Sequence, residues 1–464
     1  MSVIGTSTGD VVVTPAALEP IIQPTHNIPL SLARPQYQGP QDPDHEFWWQ
    51  ATGTSLQSLL ESCRYDAANQ AAHLAWYRRF IIPALGPRPR PGVEPAFKPC
   101  PTADGSACEL SINWAERRQQ RIVRFTIEAT DAAAGTPADP FNQEATLRLL
   151  RGMASDMPGS IDLERFEHFV RGFFLLDADA ARAVLPRLPA GAPRSQAWVA
   201  FDLLPSGRVM AKVYFMPLLK CIQVGTPANR LVRDVIASAR DGHGGFSAPL
   251  DIFERYTQSF ANKRNGPKVE MIAIDCVDSP ASRIKMYLRT SVTTLAGARD
   301  AYTLGGRLDG EAVEAGLEAM GQLWRILFRL DTHGDIDDVE VLPAGSYCGF
   351  AVEMKPGRAR PEVKMHIPVR KIEGTDAQLI ESLSSWFRCQ GDGEFASSYR
   401  GYLEKAFPRH DLNGMNGTHT FVSFAYTAET GVYMTMYYST KIFGSRVQDI
   451  WKGYDDLWAT ERTY

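Results

Sequence analysis

The chain has 464 residues, of which 44% are hydrophobic and 22% charged, and its formal net charge at pH 7 is −4. This charge does not favour nucleic acid or an anionic membrane as a partner, and no apolar run approaches the roughly 18 residues of a membrane span. The first 20 residues lack the pattern of a signal peptide and the seven cysteines form no C-x-x-C pair, so a reduced cytoplasmic protein is expected.

Residues 1–43 are rich in Pro, Thr and Gly, which predicts an extended or disordered arm. Apolar spacing through Leu56, Leu59 and Leu60 then predicts a helical region ending near Phe80. From residue 43 onward, two helices and two strands recur as a unit, five times in all. Predicted helical regions cover 43–80, 140–176, 227–240, 248–262, 294–303, 310–330 and 375–406. Predicted strands cover 108–114, 122–129, 197–204, 209–218, 269–277, 283–289, 349–354, 362–369, 418–426 and 432–438.

The tail after Lys441 carries apolar residues at helical spacing, among them Ile450, Trp451 and Leu457. This spacing predicts a C-terminal helix over 444–464 that docks on the body of the protein or on a second subunit. A homodimer is therefore one expectation. Residues 44–443 form a single domain in this interpretation.

Hairpins joined by helix pairs indicate an α+β fold with an antiparallel sheet and helices on one side of it. Ten strands with one apolar face can close into a barrel, which removes exposed sheet edges. The apolar faces would then meet the helices outside, and the polar faces would surround a central cavity wide enough for a ligand.

The polar faces of several predicted strands carry the same residue types. Arg283-Ile284-Lys285-Met286-Tyr287 alternates cations and a tyrosine with apolar residues, so the polar side chains share one face of the strand. Similar alternation occurs in Lys212-Val213-Tyr214, Lys364-Met365-His366, Tyr433-Met434-Thr435-Met436-Tyr437 and the strand that contains Arg124. Strand cations often face solvent, but their recurrence beside tyrosine in separate hairpins favours a shared anion site walled by aromatic rings.

Such a site suits an allylic diphosphate, whose ionisation yields an anion and a carbocation together. Arginine and lysine would stabilise the leaving diphosphate, and tyrosine rings would stabilise the carbocation and exclude water. The chain has no D-D-x-x-D arrangement for magnesium and no Cys/His set with zinc spacing. The same cations could replace a metal, and no cofactor is predicted.

Two further residues are candidates for acid–base chemistry. Glu109 begins the first predicted strand, and if it points inward it can accept a hydrogen bond from an indole N–H or a phenol O–H. His366 shares a strand face with Lys364 and is a candidate phosphate donor or proton acceptor.

The chain resembles the fungal dimethylallyltryptophan synthase family of aromatic prenyltransferases from about Phe47 to Phe443. The resemblance rests on the motifs Phe47-Trp48-Trp49, Ala84-Leu85-Gly86-Pro87, Glu109-Leu110-Ser111, Val123-Arg124-Phe125, Asp139-Pro140-Phe141-Asn142, Lys212-x-Tyr214, Ser282-Arg283-x-Lys285-x-Tyr287, Leu304-Gly305-Gly306-Arg307 and Val422-Ser423-Phe424-x-Tyr426. It implies the α-α-β-β (ABBA) prenyltransferase barrel and a soluble, metal-independent enzyme that uses dimethylallyl diphosphate and an aromatic acceptor.

The resemblance also implies roles for individual residues. Glu109 would bind the indole N–H of the acceptor, beside Trp198. The donor diphosphate site would contain Arg124, Lys212, Tyr214, Arg283, Lys285, Tyr287, Tyr433 and Tyr437. The alternation of its own strand adds Lys364 to this site.

This chain departs from the family members that alkylate tryptophan at C4. Trp198 stands where those members have a lysine that takes the ring proton, and Glu270 stands where they have an arginine for the amino-acid carboxylate. Lys364 and His366 replace a Gln-x-Tyr pair. We therefore expect transfer to tryptophan at a position other than C4, or at N1.

Several alternatives remain open from the sequence. Within the same enzyme class, the acceptor could be tyrosine or a tryptophan-containing cyclic dipeptide. Outside it, the barrel could bind an anionic aromatic ligand without catalysis, or could isomerise or hydrolyse diphosphates.

Overall fold

A computed structural model of the protein describes residues 42–90, 92–188, 192–239, 245–261, 263, 266–278, 281–330 and 334–443. Nearly all of the predicted arm over 1–43, and the whole predicted C-terminal helix over 444–464, lie outside the described residues. The homodimer expectation that depends on this helix stays a prediction. None of the helices within the described ranges has the length and apolarity needed to cross a membrane.

Ten antiparallel strands close into one barrel, as predicted. Each strand pairs with its neighbours in sequence, and the first strand pairs with the last, with Glu109 opposite Ser439 and Ala115 opposite Tyr433. The strands are β1 Cys108–Ala115, β2 Arg118–Ile127, β3 Ala197–Leu203, β4 Val209–Phe215, β5 Lys268–Asp275, β6 Ile284–Arg289, β7 Gly349–Met354, β8 Glu362–Ile367, β9 His419–Thr427 and β10 Gly431–Ser439.

Helices connect the five hairpins. The α-helices are α1 Pro43–Trp48, α2 Thr54–Ser62, α3 Ala67–Trp76, α4 Glu144–Asp156, α5 Glu164–Phe173, α6 Ala178–Val184, α7 Leu218–Val224, α8 Ala228–Ala237, α9 Ser247–Gln258, α10 Leu295–Tyr302, α11 Glu311–Phe328, α12 Asp376–Cys389 and α13 Gly393–Ala406. Single π-helical turns cover Trp49–Gly53 and Tyr77–Ile81, and 3₁₀ turns cover Ile82–Leu85, Leu185–Arg187 and Val369–Lys371.

The simple repeat of two helices and two strands is wrong in two of the connections. Between β2 and β3, and again between β4 and β5, the described residues form three helices. The prediction extended β4 to residue 218, but Pro217 caps a short helix, α7, and Gly225 ends it in the left-handed region with φ 65°. The first helical region is also interrupted, because Asp66 caps α3 by accepting a hydrogen bond of 2.9 Å from the Asn69 backbone.

Alternation along each strand separates the core from the barrel interior. Residues such as Leu110, Ile112 and Trp114 of β1 point outward and are at most 1% exposed beneath the helices. Aromatic contacts tie the layers together: Phe125 of β2 lies 5.0 Å, between ring centroids, from Tyr77. The intervening polar residues therefore point into the barrel.

Candidate active site

Two adjoining cavities lie inside the barrel. The first, which we call the cationic chamber, has a volume of about 40 Å³ and is lined by Arg124, Lys212, Lys285 and Lys364. The second, which we call the larger chamber, has a volume of about 170 Å³ and is lined by Glu109 and Trp198, among others. The residues that line both are Thr126, Tyr214, Tyr287, His366 and Tyr437. The other predicted site residues thus divide between two connected compartments, whereas Arg283 and Tyr433 line neither and contact residues of the cationic chamber instead.

Carboxylates hold the cations in place. Asp202 of β3 lies 2.6 Å from the Lys212 ammonium and 3.1 Å from Nε of Arg124. These cations outweigh the burial that opposes ionisation of Asp202, and its pKa falls to about 2. Burial in turn lowers the pKa of Lys212 to about 8, although Asp202 opposes this shift. Binding of an anion beside Lys212 would favour its charged form.

A second group of ion pairs lies around β6. Arg283, immediately before the strand, contacts Asp275 at 2.6 Å and Glu353 at 3.1 Å. Lys285 lies 3.2 Å from the other oxygen of Glu353. Five predicted cations therefore face three carboxylates, which leaves an excess of two positive charges among these residues. The excess remains suited to an anion such as a diphosphate.

Tyr433 of β10 bridges two of the cations. Nη2 of Arg124 donates a hydrogen bond of 2.7 Å to the Tyr433 hydroxyl, and the Lys364 ammonium lies 4.2 Å from the centre of the ring. Burial opposes ionisation of this phenol, but the charges of Arg124, Lys364 and Lys212 outweigh it and lower its pKa to about 7. Burial lowers the pKa of Lys364 to about 8. The neighbouring cations therefore favour the phenolate form of Tyr433.

An aromatic collar separates the chambers. Its members are Tyr214, Tyr287, His366 and Tyr437, with successive ring centroids 5.5, 5.5 and 6.1 Å apart. Burial, together with the charges of Lys364 and Lys285, lowers the pKa of His366 to about 3. His366 is therefore neutral at physiological pH, and it contributes a ring rather than a charge to the collar.

Glu109 points into the larger chamber. It is 9% exposed, and Oγ1 of Thr420 donates a hydrogen bond of 2.6 Å to its Oε1. Burial raises the pKa of Glu109 to about 7, with Thr420 and the charge of Arg370 opposing the rise. A carboxyl group with this pKa can accept a hydrogen bond and can also take up a proton near neutral pH.

Trp198 forms part of the wall of the larger chamber. It packs with Cys100 and Met216, and its indole interacts with Glu128. Glu128 also accepts hydrogen bonds of 2.9 Å from the Cys100 backbone and from Ser195. That Trp198 lies beside the acceptor stays a prediction, and the contact of its indole with Glu128 was not foreseen.

Some residues of the site were missed in the sequence. Asp202 shares its strand face with Trp198, so the alternation of β3 could have shown that Asp202 points inward. The alternation of β5 and β7 could have shown the same for Asp275 and Glu353. Thr420 gave no signal, because it is 311 residues from Glu109 along the chain. No group of three or more metal-ligating side chains occurs in the part of the chain that the structure describes.

The barrel, its cation-lined chamber and its aromatic collar define a protein of the aromatic prenyltransferase type. The model of the tryptophan dimethylallyltransferase family matches residues 44–401. The chain therefore belongs to this family and is a transferase, as its motifs predicted.

Curated relatives agree with this assignment. The chain is 39% identical over 405 residues to the prenyltransferase iacE of Pestalotiopsis fici, covering 86% of this chain and 92% of the relative. It is 34% identical over 417 residues to the 7-dimethylallyltryptophan synthase hasE of Aspergillus fumigatus, covering 86% of each.

Solved structures show the same fold. AnaPT from Neosartorya fischeri superposes with a TM-score of 0.77 at 28% identity, covering 86% of this chain and 94% of AnaPT. NotF in complex with brevianamide F and DMSPP superposes with a TM-score of 0.75 at 25% identity, covering 87% and 96%. The expected ABBA barrel is confirmed.

Proposed function

We propose that the protein transfers the dimethylallyl group of dimethylallyl diphosphate to the indole of tryptophan without a metal ion. The alkylated atom is either N1 or a ring carbon other than C4. One observation carries this proposal. A chamber with excess positive charge and a chamber containing a buried hydrogen-bond acceptor, Glu109, share one wall of aromatic rings. A donor and an acceptor bound on opposite sides of this collar would be held close together and oriented for reaction.

The cationic chamber would bind and activate the donor. Breaking the bond between the allylic carbon and oxygen sends the electron pair to the diphosphate, and charge develops on its oxygens. Lys212, Lys285 and Lys364 line this chamber and would stabilise that charge. Donors of this kind contribute about 10²–10³ in rate each. They supply charge that divalent ions supply in other prenyl-transferring enzymes.

The aromatic collar would protect the allyl cation. Tyr214, Tyr287 and Tyr437 lie at the junction of the two chambers, so a cation formed there faces their π systems. The rings would also limit the access of water, which otherwise captures the cation as an alcohol.

The larger chamber would orient the acceptor. The Thr420 hydroxyl occupies one oxygen of Glu109, and the other can accept the indole N–H. Attack forms the new bond from the ring to the allylic carbon, and loss of a proton restores aromaticity. Glu109 or the released diphosphate would take this proton. His366, with a pKa of about 3, is a weak base, and Trp198 has no basic nitrogen at the position of the C4-specific lysine.

Incubation of the protein with dimethylallyl diphosphate and L-tryptophan in EDTA tests this proposal. We expect diphosphate release together with a tryptophan that carries one dimethylallyl group, and NMR of the product identifies the alkylated atom. Glu109→Ala should reduce turnover strongly while the barrel remains folded by circular dichroism. Binding of both compounds without turnover would indicate a carrier, and consumption of the donor without a prenylated acceptor would indicate a hydrolase or isomerase. Either result would refute the proposal.

A further inference from the structure

A β-bulge turns an additional carboxylate into the larger chamber. In β5, Val269 pairs with Leu288 and Met271 with Tyr287, so Glu270 is an extra residue in the ladder. Strict alternation from Ala273 would point Glu270 outward, but both Glu270 and Met271 line the chamber. Bulges commonly redirect a side chain beside an active site.

This carboxylate has unused hydrogen-bonding capacity. Glu270 is 8% exposed, and its Oε1 has no hydrogen-bond partner among the described residues. The Tyr347 hydroxyl interacts with the same carboxyl group. Buried carboxylate oxygens are usually satisfied, since an unpaired one costs free energy. A ligand that donates hydrogen bonds, above all a cationic one, would therefore be favoured here.

Two arginines lie on the same part of the wall. Arg289, at the end of β6, stacks its guanidinium 4.8 Å from the centre of the Tyr347 ring. Arg370, in the turn after β8, stacks 4.6 Å from the centre of the Phe421 ring. Both are close enough to Glu270 to stabilise its charged form. Guanidinium groups that are oriented by ring contacts are well suited to bind a carboxylate.

We propose that Glu270 binds the α-ammonium group of the acceptor and that Arg289 and Arg370 bind its carboxylate. The acceptor is then a free amino acid, whose two opposite charges match the two kinds of charge on this wall. A cyclic dipeptide has neither charged group and would leave Oε1 of Glu270 without a cationic partner. This inference rests on the proposed function, because it assigns the substrate class of the same chamber.

A panel of indole acceptors tests the assignment of charges. Tryptophan has both groups, tryptamine lacks the carboxylate, and indole-3-propionate lacks the ammonium group. We expect wild-type kcat/KM to be highest for tryptophan. In Glu270→Gln, which removes the charge and keeps the shape, the preference for tryptophan over indole-3-propionate should fall at least about tenfold through KM. The preference for tryptophan over tryptamine should fall similarly in Arg289→Met or Arg370→Met.

Glu311→Gln provides a matched control, because Glu311 is an exposed carboxylate at the start of α11, and its acceptor preferences should equal those of the wild type. Equal kcat/KM of the wild-type protein for all three acceptors would refute the inference and leave the proposed function intact. An unchanged preference in folded Glu270→Gln would refute it as well. Absence of product with every indole acceptor would refute the proposed function and this inference together.

Discussion

The hydrogen bond from Thr420 to Glu109 should set the pH range in which the acceptor is used. The Thr420 hydroxyl lies 2.6 Å from Oε1 of Glu109, and both residues are buried. Thr420→Val keeps the shape of the side chain and removes the donor. The charged form of Glu109 then loses its partner, while the protonated form loses much less.

The size of this effect follows from the energy of the bond. A hydrogen bond to a charged group contributes roughly 1.5–3 kcal/mol, and one pKa unit corresponds to about 1.4 kcal/mol. Thr420→Val should therefore raise the pKa of Glu109 by about 1–2 units above its value of about 7. If acceptor binding and deprotonation need the carboxylate, activity falls as the pH drops through this pKa. The acidic limb of the profile moves upward by the same amount.

The assay is kcat/KM for the acceptor between pH 5 and 10, at saturating donor. Thr420→Ser retains the hydroxyl and should keep the acidic limb of the wild type. Because Glu270 also has a pKa raised by burial to about 7, the shift between variants is the diagnostic quantity. A Thr420→Val profile that overlies that of the wild type would refute the role assigned to Glu109.

Three further predictions concern the donor site, the aromatic collar and the effect of Glu109 on stability. Lys285→Ala should lower kcat/KM for the donor about 10²–10³-fold. Lys355 is partly exposed and lies 3.9 Å from Glu353, and its substitution by alanine should lower this kcat/KM far less. Equal losses for the two variants in initial-rate measurements would contradict the donor site. Tyr287→Leu should increase the fraction of donor released as dimethylallyl alcohol, and chromatography showing no increase would remove its shielding role. Burial raises the pKa of Glu109 from 4.5 to about 7, so the folded state binds the extra proton and stability falls as pH rises through this window. Glu109→Gln should therefore stabilise the protein by up to about 3 kcal/mol at pH 8 and much less at pH 5. An equal increase in the free energy of unfolding at both pH values, measured by denaturant titration, would contradict this pH dependence.

The barrel could be predicted because its information is local. Each strand has an apolar face that must meet the helices and a polar face that cannot, so alternation identifies both the strands and the inward residues. Lys285 and Tyr287 are examples, since their strand face was assigned from the sequence and both line the chambers. Closure followed because ten strands would otherwise leave two exposed edges.

Features that depend on distant pairing could not be predicted. The bulge at Glu270 arises from the register between β5 and β6, and the Thr420–Glu109 hydrogen bond joins opposite ends of the chain. Attention to cations alone also overstated the positive charge, because Asp202 and Glu353 partner them across strands. Short α7 was missed, because one or two turns give too little periodicity to distinguish a helix from a strand extension.

A crystal structure with a non-hydrolysable dimethylallyl diphosphate analogue and tryptophan would test the central claim most directly. We predict phosphate oxygens within hydrogen-bonding distance of Lys212 and Lys285, the indole N–H on Glu109, and the dimethylallyl chain between them at the aromatic collar. A diphosphate bound away from these lysines, or an indole on the same side of the collar as the diphosphate, would contradict the account.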